Sequence, residues 1–295
     1  MCPIDLRLLQ ITIIKKSFLN YCCRIMLYDR DYRKLTEEEV SVWKKVEELF
    51  NKSKRGGIIS PAALHKYWDD LPCAVVHYKQ LFPNNYIIPS QLRQKNGDTS
   101  AVEKFKCLLN GNCTERSVLN FIKEEKAYDI VTSIFDAYRF GHHSSFVFRE
   151  FELPPNYIAD FLLVGKNSGG YEFIFVELES PYGQIVTKDG DFGNVIRKGI
   201  KQVMDWDSWL EKNYYSLRLV FEKHLGKMES LPKEFFELEK SRIHYVVIAG
   251  RRSDYKEKTY ELRRRLLKSN NILLLHYDNL FKVEALLEST LLGEY

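Results

Sequence analysis

The stretch Tyr171-Glu172-Phe173-Ile174-Phe175-Val176-Glu177-Leu178-Glu179-Ser180-Pro181 decides how the chain reads. Tyr171, Phe173 and Phe175 alternate with Ile174, Val176 and Leu178, the pattern of a strand that is apolar on both faces. Such a strand belongs in the middle of a covered sheet. Glu177 and Glu179, two residues apart at its C-terminal end, project from one face. Ionised carboxylates in that place are costly unless something compensates them. A divalent cation is one compensation, and metal-assisted phosphodiester cleavage is one use for it.

Upstream, Asp160 stands inside a second apolar run, Tyr157-Ile158-Ala159-Asp160-Phe161-Leu162-Leu163-Val164. If the two runs pair through the Gly169-Gly170 turn, Asp160 lies beside Glu177. The plainer reading of such an acid is a carboxylate bonded to backbone or arginine. Three converging carboxylates repel one another, so one is protonated or a cation is present. Oxygen-only ligands favour Mg²⁺ or Mn²⁺. Taken alone, Glu-x-Glu at a strand end is a weak signal.

Two helices add to the pattern. Over 194–213, Lys198, Gln202, Trp206 and Trp209 share one face. Gln202 there either satisfies a buried backbone group or holds a water or a phosphate. Glu115 follows Thr114 at the start of another helix and shares a face with Val118, Leu119 and Ile122. An acid in a first helical turn is also explained by the helix dipole alone.

The rest of the chain sets bounds. Its 295 residues bury a large core, in one or two domains. A net charge of +4 is compatible with a polyanionic partner without demanding one. The six cysteines form no metal-ligand spacing and read as free thiols of a reducing cytosol. No run reaches the length of a membrane span. There is no GxxxxGK[ST] phosphate loop, which speaks against a nucleotide-driven protein.

Residues 1–25 read either as an extension upstream of a true start at Met26 or as a genuine N-terminal strand or helix. Residues 26–100 form a small, mostly helical module for regulation or interaction. It opens with the Thr36/Glu39 capping pattern of a helix running to about Phe50, and Ser60-Pro61 starts a second helix. Residues 71–100 are rich in turn signals and separate this module from the remainder. Residues 101–295 form the second domain. Its helices are expected at 114–126, 128–138, 194–213, 254–268 and 280–291, with an interrupted helical zone over 214–240. Strands are expected at 145–152, 157–164, 171–178, 243–249 and 272–276. That order is α/β: a mixed sheet flanked by helices.

Together these pieces resemble the PD-(D/E)XK nuclease superfamily and, more narrowly, the Shedu anti-phage defence proteins. The resemblance covers about 105–292. It runs in order through the helix bearing Glu115, the Asp160 strand, Val176-Glu177-Leu178-Glu179-Ser180-Pro181, the helix with Gln202 and Trp206, the strand ending in Gly250-Arg251, and Tyr277-Asp278-Asn279-Leu280. It implies a restriction-endonuclease-like fold and a Mg²⁺- or Mn²⁺-dependent DNA endonuclease. It also implies a prokaryotic cytoplasmic setting, self-assembly into dimers or tetramers, and no membrane.

By matching positions, Asp160, Glu177 and the Leu178 carbonyl would ligate the metal. Glu115 would lie in an outer shell or assist a second metal, and Gln202 would support the site from the helix. At position 179 the family pattern has lysine where this chain has glutamate. Lys198, and after it Lys201, is the candidate for a lysine moved to the neighbouring helix. A catalytically inactive relative that binds nucleic acid or serves as an interaction scaffold is the alternative. Lys201, Arg251 and Arg252 are the candidate DNA-backbone contacts, although arginine-rich stretches are more often solvated faces. No helix-turn-helix or zinc finger is present, so contact is expected to be dominated by the backbone.

Overall fold

The computed structural model describes residues 27–54, 71–87, 100–227 and 230–281. The first helix, α1 (Glu37–Lys54), starts on the expected reciprocal cap. The Thr36 hydroxyl accepts from the Glu39 N–H, and the Glu39 carboxylate accepts from the Thr36 N–H at 2.8 Å. Trp43 of α1 is buried and stacks on Tyr78 of α2 (Pro72–Lys79), which has proline in its first turn. A tight turn at Pro83–Asn85 leads into β1 (Tyr86–Ile87). Then follow α3 (Ser100–Asn110), α4 (Glu115–Glu124) and α5 (Tyr128–Thr132). The meander β2 (Ser144–Leu153), β3 (Tyr157–Asn167) and β4 (Gly170–Leu178) comes next. The chain continues through α6 (Asn194–Asn213), α7 (Leu217–Glu222), β5 (Ile243–Ile248), α8 (Glu257–Asn270) and β6 (Ile272–Leu275).

The six strands form one mixed sheet in the order β1-β2-β3-β4-β5-β6. Pairing is antiparallel through β4, then parallel from β4 to β5 and from β5 to β6. The switch follows from connection length. Short turns join β2, β3 and β4, whereas β4 reaches β5 by a long crossover carrying α6 and α7. Two apolar clusters cover the two faces. Phe173, Phe175, Trp206 and Phe221 belong to one, Ile174, Val176, Leu178 and Val118 to the other. The doubly apolar β4 therefore lies in the interior of the sheet, as its alternation predicts.

Several expectations need correction. Residues 72–87 carry a helix and the edge strand β1, not only turns, and Phe82 and Tyr86 pack into the main core. Helix α3 was not anticipated. The helix expected over 128–138 is a short α5 followed by a 3-10 stretch, Ser133–Ala137. Cys107 and Cys113 are free thiols, but Cys73 is disulfide-bonded, against the expectation of free thiols throughout. Residues 1–25, the helix start at Ser60-Pro61 and most of the helix expected over 280–291 lie outside the described residues. Among the described residues no helix is long and apolar enough to cross a membrane.

Candidate active site

Beyond Phe161, β3 and β4 no longer pair backbone to backbone. A break in side-chain alternation marks the place. Phe146, Phe148, Phe151 and Leu153 of β2 all face one core, although 148 and 151 are three residues apart. Between them Glu150 adopts φ +48°, in the left-handed region, opposite Asp160. Across from them Leu162 and Ala159 face that same core, again three residues apart. Asp160 stands in this inversion, and its Oδ2 accepts a 2.7 Å hydrogen bond from the Leu178 N–H. The pairing Phe161↔Val176 places Asp160 beside Glu177, the register that the turn at Gly169-Gly170 allows.

The other carboxylates converge from the strand end. Glu177 and Glu179 are both buried. Glu177 Oε2 and Glu179 Oε1 have no hydrogen-bond partner among the described residues. Glu179 Oε2 accepts from Lys198 Nζ at 2.8 Å, and the same ammonium lies 3.6 Å from Glu115 Oε2. Lys198 is exposed while Glu179 is buried, so this pair is screened on the lysine's side alone. Close approach of α6 makes the pairing possible. A Cβ on Gly199 would meet Val247 at 2.7 Å and Glu179 Cγ at 2.9 Å. Glycine inside a helix costs about 1 kcal/mol relative to alanine; here it admits the carboxylate beneath the helix.

The electrostatics follow from crowding. Burial, with Glu115 and Glu179 nearby, pushes the Asp160 carboxyl up to about 7 against the hydrogen bond from Leu178. Burial, with Asp160 and Glu179 beside it, pushes Glu177 up to about 10. Burial also raises Glu179, opposed by Lys198. Burial works against the Lys198 ammonium, but Glu179 and Glu115 hold it above the usual lysine range.

These residues fit a hard divalent cation. The donors are all oxygen, and one of them, Glu177 Oε2, is buried without a partner among the described residues. Leu178 directs its N–H to Asp160, and in a strand a residue's carbonyl points to the same side as its N–H, so the Leu178 oxygen faces that side as well. Among the described residues no three His, Cys, Asp or Glu side chains form a ready cage. Two carboxylates and one peptide carbonyl remain, a set that suits an ion keeping part of its water shell.

The remaining sequence candidates are placed differently. Gln202 is half-buried one turn beyond Lys198 on α6, and Lys201 is exposed. Arg252 is exposed. Arg251 is committed within the chain: its guanidinium bonds both Asp278 oxygens, the closer at 2.9 Å, and donates to the Leu109 carbonyl at 3.0 Å. Tyr182 also donates to that carbonyl, tying the end of α3 to the loop after the Glu177-Leu178-Glu179 motif.

Two contributors had no role assigned to them from the sequence. Gly199 stood in the α6 sequence with no signal beyond its low helix propensity. Tyr277 is fully buried, and its hydroxyl donates to the Glu179 carbonyl at 2.6 Å. Its place directly after a strand, beside Asp278, was the available clue.

No curated protein matches the chain. The model of one protein family, described as the C-terminal part of the Shedu protein SduA, matches residues 112–281. That match starts before α4 and ends after Tyr277, so it contains every carboxylate of the site together with Lys198, and over more than half of its length the chain belongs to the Shedu SduA C-terminal family.

Proposed function

We propose that this protein is a Mg²⁺- or Mn²⁺-dependent DNA endonuclease acting in anti-phage defence. The observation that carries this reading is the pairing of Asp160 with a buried, partnerless Glu177 oxygen at the splayed end of β3 and β4. A structural carboxylate in such a place finds donors; this one is left for something from outside. Asp160, Glu177 and the Leu178 carbonyl would hold the cation, which when bound supplies Lewis acidity toward a phosphate oxygen.

The chain's own groups divide the remaining tasks. Glu179 and Lys198, already hydrogen-bonded to each other, flank the place where a water would be oriented for in-line attack. Lys198 thereby takes the role that the usual lysine at position 179 would fill. Glu115 holds the far side of the Lys198 ammonium. Gln202, one turn along, supports the same edge, while Lys201 and Arg252 are exposed for phosphate contacts. Membership of the family supports a defence role, and the proposal includes assembly into dimers or tetramers.

One observation favours a second reading, a non-catalytic scaffold that binds nucleic acid. The Lys198 ammonium is already shared between two carboxylates. Plasmid and linear DNA incubated with the purified protein in Mg²⁺, Mn²⁺ or EDTA, beside Glu177→Ala, separates the two. Cleavage that requires metal and vanishes in Glu177→Ala supports the nuclease. Cleavage surviving in the variant or in EDTA removes the assigned site, and DNA retention without any cleavage establishes the scaffold.

A further inference from the structure

Three strands end at the candidate site, and one turn after β6 holds all three ends. The Glu179 N–H donates to the Ile248 carbonyl at 2.8 Å, which extends the β4–β5 pairing one residue past β4. The Glu179 carbonyl accepts from the Tyr277 hydroxyl at 2.6 Å. The Tyr277 N–H donates to the Gly250 carbonyl at 3.0 Å, and the Gly250 N–H donates to the Ser180 carbonyl at 3.1 Å. Asp278 then binds the Arg251 guanidinium and the Arg252 N–H, the latter at 2.7 Å. The Glu179 backbone is thus held at its N–H by β5 and at its carbonyl by Tyr277. The tyrosine ring is fully buried and meets the Phe105 ring edge-on, so the hydroxyl has little freedom to follow a moving carbonyl.

We propose that Tyr277 is a positioning residue for the cation site: its hydroxyl fixes the Glu179 peptide and so sets the aim of the Glu177 carboxylate and the Leu178 carbonyl. The inference rests on the reading of Asp160, Glu177 and Leu178 as the cation's ligands. Both ligands from β4 lie within two peptide units of the held carbonyl. A ligand set of few protein donors is sensitive to their orientation, because each supplies a large share of the coordination. Loss of an orienting hydrogen bond around a metal commonly costs 10- to 100-fold in affinity or activity.

Tyr277→Phe removes the hydroxyl and keeps the ring. Mn²⁺ binding to the full-length protein is measured by electron paramagnetic resonance titration, beside wild type, Glu177→Ala and Tyr182→Phe. Tyr182 carries a hydroxyl on the neighbouring loop that does not touch Glu179, so Tyr182→Phe is expected to bind Mn²⁺ as wild type does. Tyr277→Phe is expected to bind about ten-fold more weakly while retaining DNA in EDTA as wild type does. The Mn²⁺ concentration for half-maximal cleavage is expected to rise in parallel, with activity recovering at saturating metal. A uniformly lowered activity that excess Mn²⁺ cannot recover, with unchanged Mn²⁺ affinity, overturns the proposal.

Should Tyr277→Phe fail to fold, Asp278→Asn decides. It loosens the turn from Arg251 without touching the tyrosine, and weaker Mn²⁺ binding is expected, whereas unchanged binding overturns the proposal. If wild type itself binds no Mn²⁺, the ligand assignment fails and the positioning role with it. Normal Mn²⁺ binding in both wild type and Tyr277→Phe removes only the positioning role.

Discussion

Two glutamates on one strand, Glu172 near the start of β4 and Glu177 near its end, are treated in opposite ways. Glu172 is half-buried and fully engaged. One oxygen accepts from Asn167 Nδ2 at 2.7 Å, and the other lies 2.9 Å from His244 Nε2, whose ring stacks on Phe140. Glu177 is more deeply buried, and one of its oxygens has no partner among the described residues. The fold can satisfy a carboxylate on this strand, since it does so at 172. What differs at 177 is that the neighbours are other carboxylates. An unpartnered buried polar group costs about 1–3 kcal/mol; on the nuclease reading, the cation that Glu177 would hold offsets that cost.

The largest expected effect breaks the comparison directly. Glu177→Ala should lower cleavage and Mn²⁺ affinity by at least about 100-fold while leaving the metal-free protein as stable as wild type or more so. A metal-free melting temperature that drops sharply would place Glu177 among the structural carboxylates with Glu172. Next, Lys198→Ala should reduce cleavage by roughly 100-fold, the low end of positioned acid–base contributions, and should also lower stability, because it leaves the buried Glu179 carboxylate without its cation. Full cleavage in single-turnover assays would rule Lys198 out of the chemistry.

The converse substitution sharpens the contrast. Glu172→Ala should cost about 1–3 kcal/mol through loss of its charged hydrogen bonds, read as a shift in urea midpoint, with metal-dependent cleavage unchanged. Lost cleavage in the folded protein would mean that the two ends of β4 are not separate in function.

The smallest effect concerns pH. Asp160 and Glu177 titrate near 7 and 10 in the folded chain, above their ordinary values. The folded state therefore holds protons that the unfolded state has released, and stability is lost as pH rises through those values. Without divalent metal, the melting temperature should fall by several degrees between about pH 5 and about pH 8. Mn²⁺ should restore it, and Glu177→Gln should flatten the decline. A flat profile in the metal-free wild type would contradict the crowding of these carboxylates.

Much of this was legible before any coordinates. The double-faced apolar alternation of 171–178 identified an interior strand, and the Gly169-Gly170 turn allowed, without fixing, the register that brings Asp160 to Glu177. The shared face of Lys198 and Trp206 anticipated an α6 that packs its tryptophan inward and leads its lysine to the carboxylates. The missing parts are those made by long-range contact. β1 is two residues long and becomes a strand only by pairing with β2. Helix α2 buries residues all round, so no period-3.6 stripe marks it. Arg251 read as a free cation because Asp278, the partner that occupies it, stands elsewhere in the chain. The inversion at Glu150 and Asp160 needs both strands at once, so neither sequence alone discloses it.

Among the described residues one ammonium, that of Lys198, faces four carboxylates, and this bears on the sequence of events at the site. Lys198 interacts with Glu115, Glu177 and Glu179, and with Asp160 as well. As those carboxylates ionise, the pocket is locally anionic although the chain as a whole carries +4. A phosphodiester arriving first meets repulsion, while a cation arriving first removes it. On the nuclease reading, binding is therefore ordered, metal before DNA. In stopped-flow mixing, protein preloaded with Mn²⁺ should engage DNA at the site without a lag, whereas protein preloaded with DNA should show one. Equal time courses from either order would exclude that sequence.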